Sequence, residues 1–140
     1  MKTFLLLFLV VVFCTACASE KALESYREDL QSDVTEYNDL LRANEFDKAK
    51  YFVYESKQDE FEAMAKAAQG LGLKIVGYSI LRTDYEIGKG QEIVDVELAY
   101  TMPAGSQMKT LIDKQKWSFV YVKEEKKKRW RLLSPLPEFK

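Results

Sequence analysis

Carboxylates cluster around one predicted β-hairpin, and they are the groups that this sequence offers for acid–base chemistry. Five of them flank the turn at residues 88–90, namely Asp84, Glu86, Glu92, Asp95 and Glu97. A carboxylate pair transfers protons efficiently when burial raises the pKa of one member. Asp95 and Glu97 alternate with valine and leucine residues, so the pattern places them on the solvent side of a strand. We therefore expect surface carboxylates here rather than a catalytic pair.

Four tyrosines offer hydroxyl groups that donate and accept hydrogen bonds. They are Tyr51, Tyr54, Tyr78 and Tyr100. Aromatic residues at such positions usually belong to the core, with their hydroxyls reaching the surface. The same residues are also candidates for the lining of a ligand cavity. Both interpretations stay open at the level of the sequence.

Several kinds of site are excluded by residue types that the chain lacks. It contains no histidine, which removes His-based general bases, nucleophile activators and metal ligands. Both cysteines, Cys14 and Cys17, lie near the N-terminus, so no disulfide or CxxC redox pair is expected within the domain. The glycines lack the spacing of a phosphate-binding loop. We expect no metal and no cofactor.

A basic run near the C-terminus is the strongest local charge feature. Residues 123–131 hold six basic and two acidic side chains. One interpretation is a solvated hairpin loop whose lysines prevent edge pairing. The other is contact with an anionic membrane or acidic polymer, where each basic residue contributes about 1 kcal/mol and a tryptophan sits among headgroups. The candidate residues are Lys126, Lys127, Lys128, Arg129, Trp130 and Arg131.

The charge of the whole chain does not favour a nucleic-acid partner. There are 21 lysines and arginines against 22 aspartates and glutamates, giving a net charge of −1. Nucleic-acid-binding domains are usually basic overall. With 140 residues and 47% hydrophobic residues, the chain is expected to form one globular domain.

Three helices are predicted in the first half of the chain. Apolar residues at gaps of three and four define the first over 20–42, and similar patterns place the others at 45–55 and 57–69. Asn44 and Ser56 are predicted N-caps, because their side chains accept hydrogen bonds from free backbone N–H groups. Gly70 and Gly72 are predicted to end the third helix.

The periodicity then changes to alternation, which predicts strands. They cover residues 74–87, 91–102, 109–123 and 130–134. Short turns between them imply an antiparallel sheet. The predicted class is α+β, with three N-terminal helices packed on a curved four-stranded antiparallel sheet. One sheet face carries Trp117, Phe119 and Tyr121, a candidate homodimer surface if the helices leave it uncovered.

This layout resembles the nuclear transport factor two-like (cystatin-like) superfamily. The resemblance covers nearly all of residues 20–139 and includes Glu-Phe-Asp-Lys-Ala-Lys at 45–50 and Lys-Arg-Trp-Arg-Leu-Leu-Ser at 128–134. It implies a cone-like sheet wrapped by helices. The superfamily includes enzymes, binding modules and scaffolds, so the fold does not select a function. A ketosteroid-isomerase-like member would combine tyrosine with carboxyl groups.

The N-terminus is predicted to be a targeting segment. Lys2 precedes the ten-residue apolar run Phe4–Phe13, whose rise of about 15 Å is half of a bilayer core but fits a signal peptide. The following Thr15-Ala16-Cys17 resembles the lipobox of bacterial lipoproteins, although Cys14 stands where that family usually has Leu, Val or Ile. The resemblance implies cleavage between Ala16 and Cys17, and acylation of Cys17.

These features predict a signal peptide at 1–16, a lipidated tether at 17–21 and a single domain at 22–140. Anchoring in the bilayer would occur through acylated Cys17, with the outer membrane favoured in a Gram-negative cell because Ala18-Ser19 lacks the usual retention aspartate. An ordinary secretory signal, cut near Ala16 or Ala18, and a retained anchor helix are the alternatives.

The favoured interpretation is a non-catalytic binding or assembly module of the cell envelope. Its partner would be an envelope protein or a small ligand. The alternatives are a cofactor-free isomerase or hydrolase, and a hydrophobic-ligand carrier that uses the cone cavity.

Overall fold

The computed structural model describes the backbone of residues 2–86 and 89–140 and the side chains of residues 19–85 and 89–140. The chain divides into two compact units, the first ending at Ser32 and the second spanning residues 33–140. Helix α1 is Lys2–Arg42, so residues 18–21, expected to form a tether, are helical. The first unit is the N-terminal part of α1.

The second unit contains the end of α1 and the remaining described elements. These are α2 (Phe46–Ala49), α3 (Gln58–Gly70), β1 (Lys74–Glu86), β2 (Gln91–Thr101), β3 (Lys109–Val122) and β4 (Lys127–Leu132). The four strands form one open sheet in the order β1-β2-β3-β4, and each neighbouring pair is antiparallel. The predicted α+β class, with one four-stranded antiparallel sheet and three helices, is confirmed.

The predicted alternation of β2 is confirmed by its burial. Val94, Val96, Leu98 and Tyr100 are all buried on one face. On β3 the buried positions are Asp113, Gln115 and Trp117, which lie on the same side as the buried residues of β2 because Val94 pairs with Gln115. Burying each large apolar side chain contributes about 1.5–3 kcal/mol. This face of β2 and β3 is therefore the centre of the core.

Strand β4 begins earlier than the sequence predicted. The predicted fourth strand begins at residue 130, whereas pairing starts at Val122↔Lys127 and continues to Trp117↔Leu132. The turn is confined to residues 123–126, and Lys126 adopts a left-handed φ of 53°. Charged residues are accommodated in this strand because backbone pairing does not require an apolar side chain.

Asn44 ends α1 instead of capping α2. Its φ is 58°, its own N–H donates to the Leu41 carbonyl, and the Glu45 N–H donates to the Leu40 carbonyl, both at 2.9 Å. This pair of hydrogen bonds defines a Schellman motif, in which asparagine tolerates the left-handed conformation. The side-chain oxygen accepts from the Ile75 N–H at 3.4 Å, so it is not available to α2.

The second predicted helix is much shorter than residues 45–55. After α2 the chain makes one 3₁₀ turn at Lys50–Phe52, and Val53 is then extended (φ −79°, ψ 140°). Val53 forms a parallel bridge with Leu132, and the Tyr54 N–H donates to the Leu132 carbonyl at 2.9 Å. This attachment to β4 ends the helix. Ser56 lies within a second 3₁₀ turn, Glu55–Lys57, and Lys57 precedes α3 as its N-cap.

The end of α3 does depend on glycine, as predicted. Gly72 has φ +81°, and a Cβ there would lie 3.1 Å from the Cα and Cβ atoms of Pro103. Gly70 has no atom within 4 Å of the corresponding position. A side chain at position 72 would therefore be strained, whereas a side chain at position 70 would meet no steric obstacle from the described residues.

We predict that Gly72→Ala lowers the free energy of unfolding by about 1–2 kcal/mol, the usual cost of a left-handed L-residue. Gly70→Ala should leave it unchanged or raise it by up to about 1 kcal/mol, because alanine is the better helix former. Urea unfolding followed by tryptophan fluorescence measures both. Equal losses for the two variants would contradict this account of the helix end.

Candidate functional site

The strongest concentration of buried polar groups lies between α1 and β3. Tyr37 and Asn38 are adjacent on α1, while Asp113 and Gln115 are two residues apart on β3 and therefore share a sheet face. Tyr37, Asn38 and Gln115 are 0% exposed and Asp113 is 5% exposed. We call these four residues the buried polar cluster.

Two amide side chains form the centre of the cluster. Asn38 Nδ2 donates to Gln115 Oε1 at 3.2 Å, and Gln115 Nε2 donates back to Asn38 Oδ1 at 2.9 Å. The second amide proton of Asn38 goes to the Val34 carbonyl at 2.8 Å. That of Gln115 goes to Asp113 Oδ2 at 3.0 Å, and the Trp117 indole N–H donates to Gln115 Oε1 at 3.3 Å. All four amide protons are thus used, as buried polar groups require.

Asp113 is the titratable group of the cluster. Its burial disfavours the charged form and raises the pKa from 3.8 to about 6, although the hydrogen bond from Gln115 acts in the opposite direction. The residue opposite it on β2 is Val96, which cannot compensate a charge. A carboxyl group with this pKa changes protonation near neutral pH.

Tyr37 brings an unusual hydroxyl to the same region. Its oxygen is buried and has no hydrogen-bond partner among the residues that the structure describes. Burial, and secondarily the Asp113 carboxylate, raise the pKa of Tyr37 well above its ordinary value. The ring is held by edge contacts with Trp117 at 5.6 Å and Phe52 at 6.3 Å between centroids. The phenol is therefore fixed in the core and neutral.

A carboxyl that titrates near neutrality beside a neutral phenol is a pair of groups suited to proton transfer. A substrate, however, must come within hydrogen-bond distance of them. Tyr37 and Asp113 are almost inaccessible to solvent, and their neighbours are core side chains. The arrangement therefore orients α1 against β3, and a substrate would have to displace the core to reach it.

The four tyrosines considered as cavity lining are not brought together. Tyr51 is 68% exposed and Tyr54 is 38% exposed. The Tyr78 hydroxyl donates to Asp39 Oδ1 at 3.1 Å, but the Asp39 side chain is 45% exposed. The Tyr100 hydroxyl donates to the backbone carbonyl of Lys140 at 2.9 Å. An enzyme that combines tyrosine with carboxyl groups would need a buried carboxylate beside Tyr78 or Tyr100. The hydrogen bonds described for these two hydroxyls include no buried carboxylate.

The hairpin carboxylates divide between the two faces of the sheet. On the outer face, Arg82 Nη2 lies 3.1 Å from carboxylate oxygens of both Asp84 and Asp95, and Glu97 is half-buried. Glu92, grouped with them by sequence, is instead only 1% exposed and stands opposite Trp117 on the core face. The side chain of Glu86 lies outside the described residues.

The basic run is also divided between core and surface. Trp130 is 0% exposed and its ring lies 5.1 Å from that of Phe119, so it belongs to the core and not to a membrane-facing surface. Lys126, Lys127 and Lys128 are exposed, Arg129 is half-buried, and the Arg131 side chain is 16% exposed.

The sheet face considered for dimerisation is covered at its centre. Trp117 is 0% exposed because Tyr37 of α1 packs against it. Phe119 is half-buried, and Tyr121, farther along the strand, is 59% exposed. Only the end of this row of aromatic residues is open to solvent.

Sequence reasoning missed the buried polar cluster, although a signal was present. Trp117 was assigned to an apolar face, and strand periodicity puts Asp113 and Gln115 on the same face. Likewise Asn38 follows the aromatic Tyr37 within the helix predicted over 20–42. Polar residues at predicted core positions were the available signal of a buried cluster. The sequence does not show which residues they contact, because their partners come from distant parts of the chain.

A second charged group joins the 3₁₀ turn at Lys50–Phe52 to α3. Lys50 and Lys66 both bind the Glu62 carboxylate, at 3.0 and 2.7 Å, and these hydrogen bonds lower the pKa of Glu62 to about 2. Glu62 and Lys66 are four residues apart on α3, a spacing that favours such a pair. Because the three charges already neutralise one another in part, the group is not a free anion site.

Comparisons with known proteins find no matching family model, curated protein or solved structure. Within the described residues, no helix is both long and apolar enough to cross a membrane. The same residues contain no group of three or more Cys, Asp or Glu side chains placed to hold a metal ion. Ala16 and Cys17 lie outside the side chains that the structure describes.

We predict that Asp113 makes the fold more stable in acid. Its folded pKa of about 6 exceeds the ordinary 3.8, so its contribution is fully present below pH 3.8 and is lost as pH rises through 6. The loss amounts to at most about 3 kcal/mol. Asp113→Asn should remove this pH dependence and be the more stable form at pH 7.

Urea unfolding between pH 4 and 8 provides the measurement, with the exposed Glu55→Gln as control. The control should keep the wild-type pH profile. If Asp113→Asn loses as much stability between pH 4 and 6 as the wild type does, groups other than Asp113 govern the titration.

Proposed function

We propose that this protein is a lipid-anchored component of a bacterial cell envelope whose α+β domain is a non-catalytic binding or assembly module. The observation that carries the proposal is the N-terminal sequence, in which the apolar run Phe4–Phe13 is followed by Thr15-Ala16-Cys17. That order of charge, apolar run and small residues is typical of an export signal. The placement of Cys17 resembles that of the acylated cysteine in bacterial lipoproteins.

The arrangement of the domain interior supports a non-catalytic role. The amide protons of Asn38 and Gln115 are used within the protein, and Asp113 is buried. Such groups specify packing without meeting a ligand. We therefore assign the binding of a partner to the exposed surfaces of the domain. The partner is an envelope protein or a small ligand.

The same proposal includes a finer feature of the fold and the processing of the N-terminus. They are the cone-like curvature of the nuclear transport factor two-like superfamily, the removal of residues 1–16, and a lipidated Cys17 that leads into the domain. Two or more acyl chains on that cysteine would give stable membrane residence, since one chain binds only weakly. Location at the outer membrane follows if the cell is Gram-negative.

Acid–base catalysis is the second candidate, and one observation favours it. Asp113 has a pKa of about 6 and lies near the unpartnered Tyr37 hydroxyl. Catalysis would require the core between α1 and β3 to open to a substrate. Carriage of a hydrophobic ligand would require a comparable opening, and these two roles therefore rank below binding at the surface.

We predict that Cys17→Ser abolishes lipid attachment and releases the protein from membranes, because serine lacks the sulfur that is acylated. Expression in a bacterial host with an alkyne-labelled fatty acid, followed by membrane fractionation, measures both effects. Cys14→Leu is the matched control, because it removes the other cysteine, leaves the predicted cleavage site and acylated residue in place, and gives position 14 a residue that the lipobox usually has there.

The control should remain labelled and in the membrane fraction. Label on Cys17→Ser equal to that of the wild type would refute acylation at this residue. Loss of label with unchanged membrane retention would instead assign the anchor to the uncleaved apolar run.

A further inference from the structure

We propose that the exposed end of the β3–β4 hairpin docks onto an anionic bilayer surface. We call residues 121–128 the hairpin tip. The inference rests on the membrane residence proposed above and adds to it a second, electrostatic contact between the folded domain and the lipid. Four features of the hairpin carry the argument.

The base of the hairpin is fixed in the core. Trp117 pairs with Leu132, and both are buried. One step farther, the Phe119 and Trp130 rings lie 5.1 Å apart and Trp130 is 0% exposed. The tip that follows is therefore a continuation of two well-anchored strands, which reduces the entropy lost on docking.

The charges of the hairpin are only partly compensated. Glu125 binds Arg129 at 2.7 Å, Arg131 at 3.3 Å and Lys127 at 3.6 Å. This one carboxylate engages the cations that point to the outer face of the sheet. The remaining acidic residue of the turn is Glu124.

Three lysines of the tip keep uncompensated charges. Lys123, Lys126 and Lys128 are exposed and make no ion pair within the described part of the chain. Their ammonium groups stand on flexible four-carbon stems, in contrast to the planar fork of arginine. That chemistry fits a diffuse anionic surface better than one rigid carboxylate pocket.

An aromatic residue accompanies these lysines. Tyr121 is 59% exposed and stands opposite Lys128 in the strand register. The Lys128 ammonium lies 6.0 Å from the centre of the Phe119 ring, so its stem runs along apolar surface. Tyrosine and lysine placed together in this way are typical of the headgroup level of a bilayer.

The same chain supplies the reason to choose a bilayer over an acidic protein. Acylated Cys17 is proposed to hold the mature chain at a membrane, and the basic tip then acts at high effective concentration. Each lysine near an anionic surface strengthens binding about fivefold. Three lysines therefore amount to on the order of 100-fold.

The test uses the full chain with Cys14→Ser, Cys17→Ser and Glu124→Cys, carrying an environment-sensitive dye at residue 124. Vesicles of phosphatidylcholine alone are compared with vesicles containing roughly 30% phosphatidylglycerol. A second labelled chain carries Ser106→Cys, in the turn at the opposite end of β3. All chains share the N-terminal apolar run, so differences between them report on the tip.

We expect the dye at residue 124 to move to a less polar environment only on the anionic vesicles, and about 1 M salt to reverse this shift. The dye at residue 106 should not respond. Lys123→Gln/Lys126→Gln/Lys128→Gln should weaken docking on the order of 100-fold. The matched variant Lys74→Gln/Lys114→Gln/Lys116→Gln removes the same charge from exposed strand positions and should change docking less than about threefold.

Equal weakening by the two triple variants would overturn the inference, because net charge and not the tip would then govern binding. An absent shift on anionic vesicles would also overturn it. If the dye responds only to added polyglutamate, the inference is wrong and the tip binds an acidic protein instead of a bilayer. Because both native cysteines are replaced, this measurement does not depend on acylation. The membrane retention of Cys17→Ser is measured separately by fractionation.

Discussion

The reciprocal hydrogen bonds between Asn38 and Gln115 are the constraint on which the packing of the domain depends. They join α1 to β3, and β3 lies between β2 and β4 in the sheet. A buried amide group that loses its partner costs about 1–3 kcal/mol. Because Gln115 also binds Asp113 and the Trp117 indole, a shift of the helix along the strand would leave several groups unsatisfied. Apolar contacts alone would tolerate such a shift more easily.

Placing Asp113 at the edge of this network has an energetic cost at neutral pH. The carboxyl is buried and receives one described hydrogen bond, from Gln115, while Tyr37 contributes a hydroxyl without a partner. A core built only for stability would use apolar residues at both positions. The polar interior therefore specifies one arrangement of α1 and β3 at the expense of some stability, and this explains why groups suited to proton transfer are buried in the core.

The two ends of the β3–β4 hairpin lie in different environments, the base in the core and the tip in solvent. Near its base, Trp117, Trp130 and Leu132 complete the core. Farther along, the same alternation presents Tyr121 and Lys128 to solvent. Glu125 compensates the cations of the outer face, whereas Lys123, Lys126 and Lys128 are exposed and make no ion pair within the described part of the chain. A rigid base and a charged tip are the two features on which the proposed docking to a bilayer rests.

The amino-acid sequence alone determined the α+β class, the antiparallel sheet, the core face of β2 and the glycine that ends α3. These features follow from local periodicity and backbone preference, which neighbouring residues carry. The tertiary structure decided that Asn44 ends α1, that the bridge of Val53 to Leu132 shortens α2, and that Glu92 and Trp130 are buried. It also decided that Asp113, Gln115 and Asn38 meet, since their partners are up to 77 residues apart. Local patterns specify the faces of elements, but only packing determines which residues on those faces come into contact.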